Sequence, residues 1–567
     1  MGHNLKRTLL WMFIIIFVLL ALIAGIWYTA TVNTQKTTIQ QSRDLEELSN
    51  HSEALRENTF TTPRVAAFYY NRYATPAVDG YWRFWDTANP FATYSPPRDI
   101  ATDYYPLLGP YSVNDARIID QHLVWLESAK IGLIIVEWMG RNSFEARTLP
   151  LLFERAAKTK VKITFIIEPY VGRSVDTLEE DVRYIYDQYG SSPAFFRTTD
   201  KSRHSPNDKA KGVFFIWAAD FQYVSNFYPS LEGPPADAQY WMPAIDAIHA
   251  LPEGGIVLLH PPFPDWIDAG HFDGAYNYAT PHLNNEFASL ALALPPGAWY
   301  VPSVVPGIEA TRIGYDPSVY YPRDDGAVYD FQWAKALGTG IEPKIITVTS
   351  FNEWSEGTHI EPVAVSMNSG KGYDYKDYGS LGPLGYLERT AMWVDTFLNM
   401  SWPPFRERDE INITLGVTNV ENGLWQVDLP FPKYNQDGGT SVIVMGGREC
   451  RNFDEFPSGG SYMYFAVHND FIYAAKTPVV MTVEYNAQGK GAFWIEYDST
   501  DPTFPFEGAY KPTEYVRVDA SGIWRTTTIV LPDAYFGNRQ KFGLDFRIAK
   551  SNDQDFNLCI SRVTVKK

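Results

Sequence analysis

The sequence predicts an α/β fold, a (β/α)8 TIM barrel followed by an all-β sandwich of jelly-roll type and preceded by a transmembrane helix. Three observations carry this prediction. From Pro63 to about residue 400, short apolar runs alternate with helix-length segments, the pattern of strand–helix–strand units around a parallel sheet. Beyond about residue 415 the texture changes to alternating strands punctuated by Gly, Pro, Asn and Asp, as in double-sheet all-β domains. Ahead of both, an uncharged stretch runs from Thr8 to Val32. At about 1.5 Å per residue it is long enough to cross a hydrocarbon core of about 30 Å.

The N-terminal segment divides into a tail (1–8), a signal anchor (9–31) and a stem (32–62). Lys6 and Arg7 precede the span, so the positive-inside bias leaves the tail in the cytosol and the rest across the membrane, a type II topology. A cleaved signal peptide is the alternative, but its apolar region usually has only about 7 to 15 residues. Here the run is longer and ends in Trp27 and Tyr28, residues suited to a membrane interface. The sequons at Asn50, Asn399 and Asn412 all fall on the expected lumenal side.

The chain has 567 residues, 45% of them hydrophobic, enough for two or three domains with large cores. Its formal net charge of −18 argues against nucleic acid or an anionic lipid surface as partner, since either favours a basic patch. Of the two cysteines, Cys450 and Cys559, an oxidising lumen would make one disulfide; two buried thiols are the plain alternative.

The expected barrel strands are VAAFYY (from Val65), GLIIVEW (Gly132), KITFIIEPY (Lys162), GVFFIW (Gly212), GIVLLH (Gly255), FDGAYNY (Phe272), WYVPSVV (Trp299) and KIITVTSF (Lys344). Helical segments at 115–130, 144–160, 178–189, 238–251, 284–294 and 328–337 separate most of them. An open doubly wound sheet is the rival, but no Gly-rich phosphate fingerprint follows the first strand. The barrel is assigned to 63–402, a linker to 403–415 and the sandwich, a candidate carbohydrate binder, to 416–567. Trp494, Tyr497 and Trp524 are its candidate sugar contacts.

Active sites of such barrels lie at the C-terminal strand ends, so the polar residues there are the ones to weigh. The first strand brings Tyr69, Tyr70 and Tyr73, the second Glu137 and Trp138, the third Glu168 and Tyr170, and the sixth Tyr276 and Tyr278. The eighth brings Asn352, Glu353, Trp354 and Glu356. Any one of these alone is more often packing or a solvated loop; their convergence on one face points to chemistry. Carboxylates beside aromatic rings suit glycoside cleavage, where one carboxyl protonates the leaving oxygen and apolar ring faces pack on the pyranose. His260, His271, His282 and His359 show no zinc-ligand spacing, and no Gly-x-Ser-x-Gly elbow occurs. No metal and no cofactor is expected.

From Val65 to Val363 the chain resembles glycoside hydrolase family 99, the endo-α-mannosidases, whose animal members are Golgi type II membrane proteins. The resemblance runs in order through FYYNRYATPAVDGYWRFWD, YYPLLGPYS, KITFIIEPY, YGSSPAFFR, FDGAYNYAT, VPSVVPG and ITVTSFNEWSEGTHIEP. It implies a retaining endo-α-1,2-mannosidase acting on mannose-rich oligosaccharides or N-glycans in the secretory pathway. Glu356 matches the general acid/base and Glu353 the group that deprotonates the sugar's own 2-hydroxyl, giving a 1,2-anhydro sugar that water opens. Their environments should therefore push their proton affinities apart. Glu168, Trp138, Tyr276, Asn352 and Trp354, with Tyr70 and Tyr73, match substrate-binding positions. Two departures stand out. Arg72-Tyr-Ala-Thr-Pro replaces a Trp-Tyr-Gly-Asn-Pro run of animal members, and Glu137-Trp-Met replaces their Ser-Trp-Tyr, both on the glycone side. Other readings of the chain are a membrane-anchored glycosyltransferase or polysaccharide-assembly protein, and an inactive lectin-like protein.

Overall fold

A computed structural model describes residues 60–567, apart from 88–92, 221–236, 279–285, 315–319, 340, 403–404, 418, 428–436, 455–460, 520–521 and 554. The expected anchor at 9–31, nearly all of the stem and Asn50 lie outside the described residues. Among those described, no helix is long and apolar enough to cross a membrane.

The first sheet contains β1 (Thr62–Tyr69), β2 (Ile131–Trp138), β3 (Lys162–Ile167), β4 (Gly212–Ile216), β5 (Gly255–Leu259), β6 (Gly274–Tyr276), β7 (Trp299–Val301), β8 (Ser303–Val304) and β9 (Ile346–Val348). All its pairings are parallel, in the order β7-β6-β5-β4-β3-β2-β1-β9-β8. The two ends of that order are neighbours in the chain, with only Pro302 between them. Proline has no N–H to give a ladder, so the expected seventh run is interrupted there. Its first half pairs with β6 and its second with β9, and the sheet closes into a barrel.

Around it run α1 (Ala116–Ser128), α2 (Phe144–Ala156), α3 (Val175–Tyr189), α4 (Ala238–Ala250), α5 (Glu286–Ala293), α6 (Ala327–Leu337) and α7 (Gly385–Asn399). The starts of α1 to α4 are set by side-chain caps: Asp115, Ser143, Ser174 and Asp237 each accept a hydrogen bond from a backbone N–H in the first turn. With helices outside and side chains inside, β2 is buried along its whole length, as an uninterrupted apolar run in a parallel sheet requires.

Two antiparallel sheets follow. A seven-stranded sheet contains β10 (Glu410–Thr414), β11 (Val420–Asn422), β13 (Thr440–Met445), β14 (Arg448–Phe453), β16 (Thr477–Gln488), β20 (Arg525–Ala534) and β22 (Asn557–Lys566). A six-stranded sheet contains β12 (Leu424–Val427), β15 (Ser461–Val467), β17 (Gly491–Tyr497), β18 (Lys511–Pro512), β19 (Val516–Val518) and β21 (Phe546–Lys550). One core joins them: Ile413, Met481 and Val563 from the first sheet pack with Phe465, Ile495 and Ile548 from the second. β10 lies within the segment 403–415 assigned above to a linker. Its alternation sends Ile411 and Ile413 into this core and pairs it with β22, so the sandwich begins before residue 416.

Cys450 of β14 and Cys559 of β22 are joined by a disulfide, with Cα atoms 5.7 Å apart. Asn399 is exposed at the end of α7, whereas Asn412 is half-buried in mid-strand. Barrel and sandwich belong to one compact unit, and Asn469 Nδ2 donates to Leu294 O across them at 2.7 Å.

Candidate active site

The residues after β9 form a loop closed on itself. Ser350 N donates to Thr358 O and Ile360 N returns to Ser350 O, both at 2.9 Å, while Ser350 Oγ accepts from Glu353 N at 2.8 Å. Gly357 explains the glycine after Glu356. Its φ is +63°, and a Cβ there would stand 2.3 Å from Glu309 O, whose own N–H donates to Glu356 O at 2.9 Å. Gly357→Ala therefore combines a left-handed backbone with a backbone clash. Its expected result is a destabilised chain with turnover reduced more than substrate affinity, measured by thermal melting alongside steady-state kinetics.

Three of the candidate residues serve as scaffold. Asn352 spends its amide on the neighbouring strand, accepting from Tyr70 N at 2.7 Å and donating to Tyr70 O and Tyr111 Oη. Trp354 is fully buried, stacked on His359, and donates through Nε1 to Tyr111 Oη and Glu361 Oε2. Tyr73 accepts from Trp354 N at 3.0 Å. Glu361, which closes the motif but was given no role from sequence, anchors this layer by also accepting from Tyr111 Oη and meeting His122 Nε2 at 3.2 Å. Trp138 differs most from its expected place. It is fully buried, its ring lies beside Tyr184 of α3 and Phe165 of β3, and its Nε1 donates to Asp181 Oδ2 at 2.7 Å. Because side chains alternate along a strand, the position that sends Glu137 toward Arg72 sends Trp138 to the helix side.

The remaining carboxyls gather around Arg72. This guanidinium is ion-paired with Glu353 and with Glu137, the latter at 3.2 Å, and lies on the rings of Tyr70 and Phe84 at 4.4 and 4.5 Å. Glu353 is 1% exposed; its other oxygen accepts from Ser355 N and Oγ. Glu356, half-buried at the rim, accepts from Tyr278 Oη at 3.4 Å, and Tyr278 Oη in turn contacts Tyr70 Oη. Burial pushes the Glu356 carboxyl above its ordinary range, against the opposing pull of Arg72 and the Tyr278 hydrogen bond. Burial, with the charge of Glu137 added, pushes Glu168 up to about 8. Glu137 rises to about 7 through burial, opposed by Arg72. Several carboxyls thus share few cations, so at neutral pH some of them hold protons while Glu353 has the arginine.

An aromatic wall completes the mouth. Tyr276 is buried among Phe68, Phe215 and His260, and its Oη has no hydrogen-bond partner among the described residues. Trp217, just past β4, stacks on His260, just past β5, at 4.0 Å, and meets Tyr278 edge-on. Burial lowers His260 to about 3, so the imidazole is neutral. From sequence, Tyr278 is weighed among the strand-end residues, His260 is considered only as a zinc ligand, and Trp217 is given no role; Trp217 and His260 each stand just past the end of a strand, the signal that could have found them.

Two carboxyls on one loop at a barrel mouth, Glu353 paired with an arginine and Glu356 with its proton affinity raised by burial, faced by aromatic rings, are the equipment of a glycoside hydrolase. The chain matches the Glycosyl hydrolase family 99 model over residues 61–399 and belongs to that family. It is 30% identical over 363 residues to the glycoprotein endo-alpha-1,2-mannosidase of Mus musculus, an alignment covering 58% of this chain and 74% of the relative. A glycoprotein endo-alpha-1,2-mannosidase-like protein of Danio rerio is also 30% identical, over 59% of this chain and 78% of its own. Among solved structures, the GH99 endo-alpha-mannosidase of Bacteroides thetaiotaomicron superposes with a TM-score of 0.50 at 31% identity, covering 60% of this chain and 98% of that one. The protein is a glycoside hydrolase, which sets aside the transferase and lectin-like readings of the barrel.

Proposed function

We propose that the enzyme is a retaining endo-acting α-mannosidase that cleaves internal α-1,2-mannosidic bonds of mannose-rich glycans through participation of the substrate's own 2-hydroxyl. The observation that carries this reading is the asymmetry of the two motif carboxyls: Glu353 is paired with Arg72, and burial favours a proton on Glu356. The names of the Mus musculus relative and the Bacteroides thetaiotaomicron structure support the substrate class.

In the first step Glu353 takes the proton of the 2-hydroxyl, the 2-oxygen bonds to the anomeric carbon, and the glycosidic bond breaks as Glu356 gives its proton to the departing oxygen. In the second, Glu356 takes a proton from water attacking the anomeric carbon, the 1,2-anhydro ring opens, and Glu353 returns its proton to the 2-oxygen. Two inversions give net retention. Arg72 covers Glu353, so an entering sugar has to displace that guanidinium; Glu137 stays at hand to hold it. Glu168, Tyr276 and Tyr70 are proposed as sugar contacts. Arg72 and Glu137 stand where animal members carry Trp and Ser, and their ion pair would make the glycone site differ from one built for glucose.

The reading extends to place. A span at 9–31 would hold the enzyme in a secretory-pathway membrane, Golgi by analogy with the animal enzymes, with the barrel lumenal. The Cys450–Cys559 disulfide suits an oxidising lumen. The deciding experiment is product analysis: a glucosylated high-mannose glycan incubated with the enzyme should lose a hexose disaccharide or longer glycone. Release of single hexoses only would overturn the endo assignment.

Arg72 supplies a further expectation. Its charge lowers the proton affinity of Glu356, so in Arg72→Met the acid keeps its proton to higher pH. The alkaline limb of the kcat/KM profile should move upward while turnover falls, because Glu353 loses its ion-pair partner. An alkaline limb that stays in place would remove Arg72 from the electrostatics of the acid.

A further inference from the structure

The six-stranded sheet turns one face to the sandwich core and the other outward. On the outer face the strand register sets Tyr464 of β15, Arg547 of β21 and Glu496 of β17 side by side. Together with Phe506, Tyr510 and Gln540 they line a cleft of 670 Å³, within the range of about 300–1,000 Å³ usual for ligand sites. None of these residues belongs to the barrel mouth.

The floor is pre-organised and electrically balanced. Arg547 donates from Nε to Glu496 Oε2 and from Nη1 to Tyr464 Oη, both at 2.7 Å. Its guanidinium lies 3.6 Å from the Tyr462 ring centre and 4.8 Å from that of Tyr510. The other cations of the cleft are paired as well, Arg539 with Asp498 at 2.6 Å and Lys541 with Asp437 at 3.6 Å. A cleft whose cations are each already held by a carboxylate offers little to a strongly ionic ligand, but it presents fixed polar edges to a neutral one.

Two features are not accounted for by folding. Gln540 is 3% exposed and donates through Nε2 to Glu496 O and Ala509 O, yet its Oε1 accepts no hydrogen bond among the described residues. A buried acceptor without a donor is unusual enough to need a cause. Phe506, beside it in the cleft, is 77% exposed, and both it and Glu507 adopt left-handed backbone at φ 52° and 57°. Side-chain-bearing residues are disfavoured there, so the turn holds an apolar ring in water at a conformational cost. The ring stands edge-to-face to Tyr510 at 5.8 Å.

We propose that this cleft binds a neutral hexose glycan. The C–H face of a pyranose would rest on Phe506 or Tyr510, and a sugar hydroxyl would supply the donor that Gln540 Oε1 lacks. The aromatic residues that sequence singled out are not its platform. Tyr497 is buried with Oη on Asp533, Trp524 stands by Arg448 of the other sheet, and Trp494 spends its Nε1 on Glu496. The inference is independent of which bond the barrel cleaves.

The test is affinity electrophoresis of the full-length chain in gels containing soluble α-mannan, dextran or dextran sulfate. A Glu356→Gln background prevents turnover and keeps barrel binding the same in every lane. Retardation by a neutral glycan is expected, with the dissociation constant rising at least about tenfold in Phe506→Ser and in Gln540→Ala, the order of effect of one lost aromatic or hydrogen-bonded anchor. Tyr510 accepts from Lys541 N, so Tyr510→Ala risks misfolding; Phe506, exposed, does not carry that risk. Retardation identical in parent and both variants, retardation by dextran sulfate alone, or none in either neutral glycan would overturn the proposal.

Discussion

Glu356→Gln is expected to lower turnover of a native glycan at least about a hundredfold, about 2.7 kcal/mol of transition-state stabilisation, with little change in substrate affinity. The amide keeps the shape of the carboxyl and an oxygen for Tyr278, 3.4 Å away, but has no proton to give the departing oxygen. Chemistry of the leaving group therefore discriminates the role. An aryl glycoside whose phenolate leaves without protonation should recover most of the lost rate in the first step. Measuring kcat on both substrate types separates the cases: equal losses on the two would mean that Glu356 is not the acid. The pH dependence has a definite sign. The acid works only while protonated, and burial raises its proton affinity, so activity is retained toward neutrality and falls as pH climbs through that raised value.

Glu353→Gln should be at least as damaging, and its loss should not depend on the leaving group. Removing the group that takes the 2-hydroxyl proton slows ring closure however easily the aglycone departs. The same variant leaves Arg72 with Glu137 alone, so a purely structural effect has to be separated. Thermal stability of the variant addresses that, and a substrate analogue lacking the 2-hydroxyl addresses the chemistry. The wild-type enzyme is expected to leave that analogue uncleaved even when it carries a good leaving group. Cleavage of the analogue at a rate near that of its parent would rule out participation of the 2-oxygen and make Glu353 an electrostatic partner instead.

Much of the barrel was legible because its signals are local. Apolar runs bounded by turn residues mark the strands, and Asp115, Ser143, Ser174 and Asp237 mark helix starts by cap chemistry. The sandwich edge was less so, since Ile411 and Ile413 are too short an alternation to stand out beside the Pro-rich SWPPF segment. In the site, Glu353 and Glu356 were visible as charges spent after a buried strand. Asn352, Trp354 and Trp138 were legible as residues of the right kind but not as scaffold, because which way each faces depends on partners far away in the chain: Tyr70, Tyr111 and Asp181.

By itself the sequence determined a closed parallel barrel followed by β structure, a glycoside hydrolase loop after the last barrel strand, and the pair of carboxyls on it. Periodicity, caps and motif spacing are properties of neighbouring residues and survive without coordinates. Only the tertiary structure decided that Arg72 sits over Glu353, that Glu356 faces Tyr278, that Trp138 turns to a helix, and that Phe506 and Gln540 share a cleft. Proton affinity and ligand shape are set by atoms within a few ångströms in space, and those atoms come from strands and loops as much as 282 residues apart in the chain.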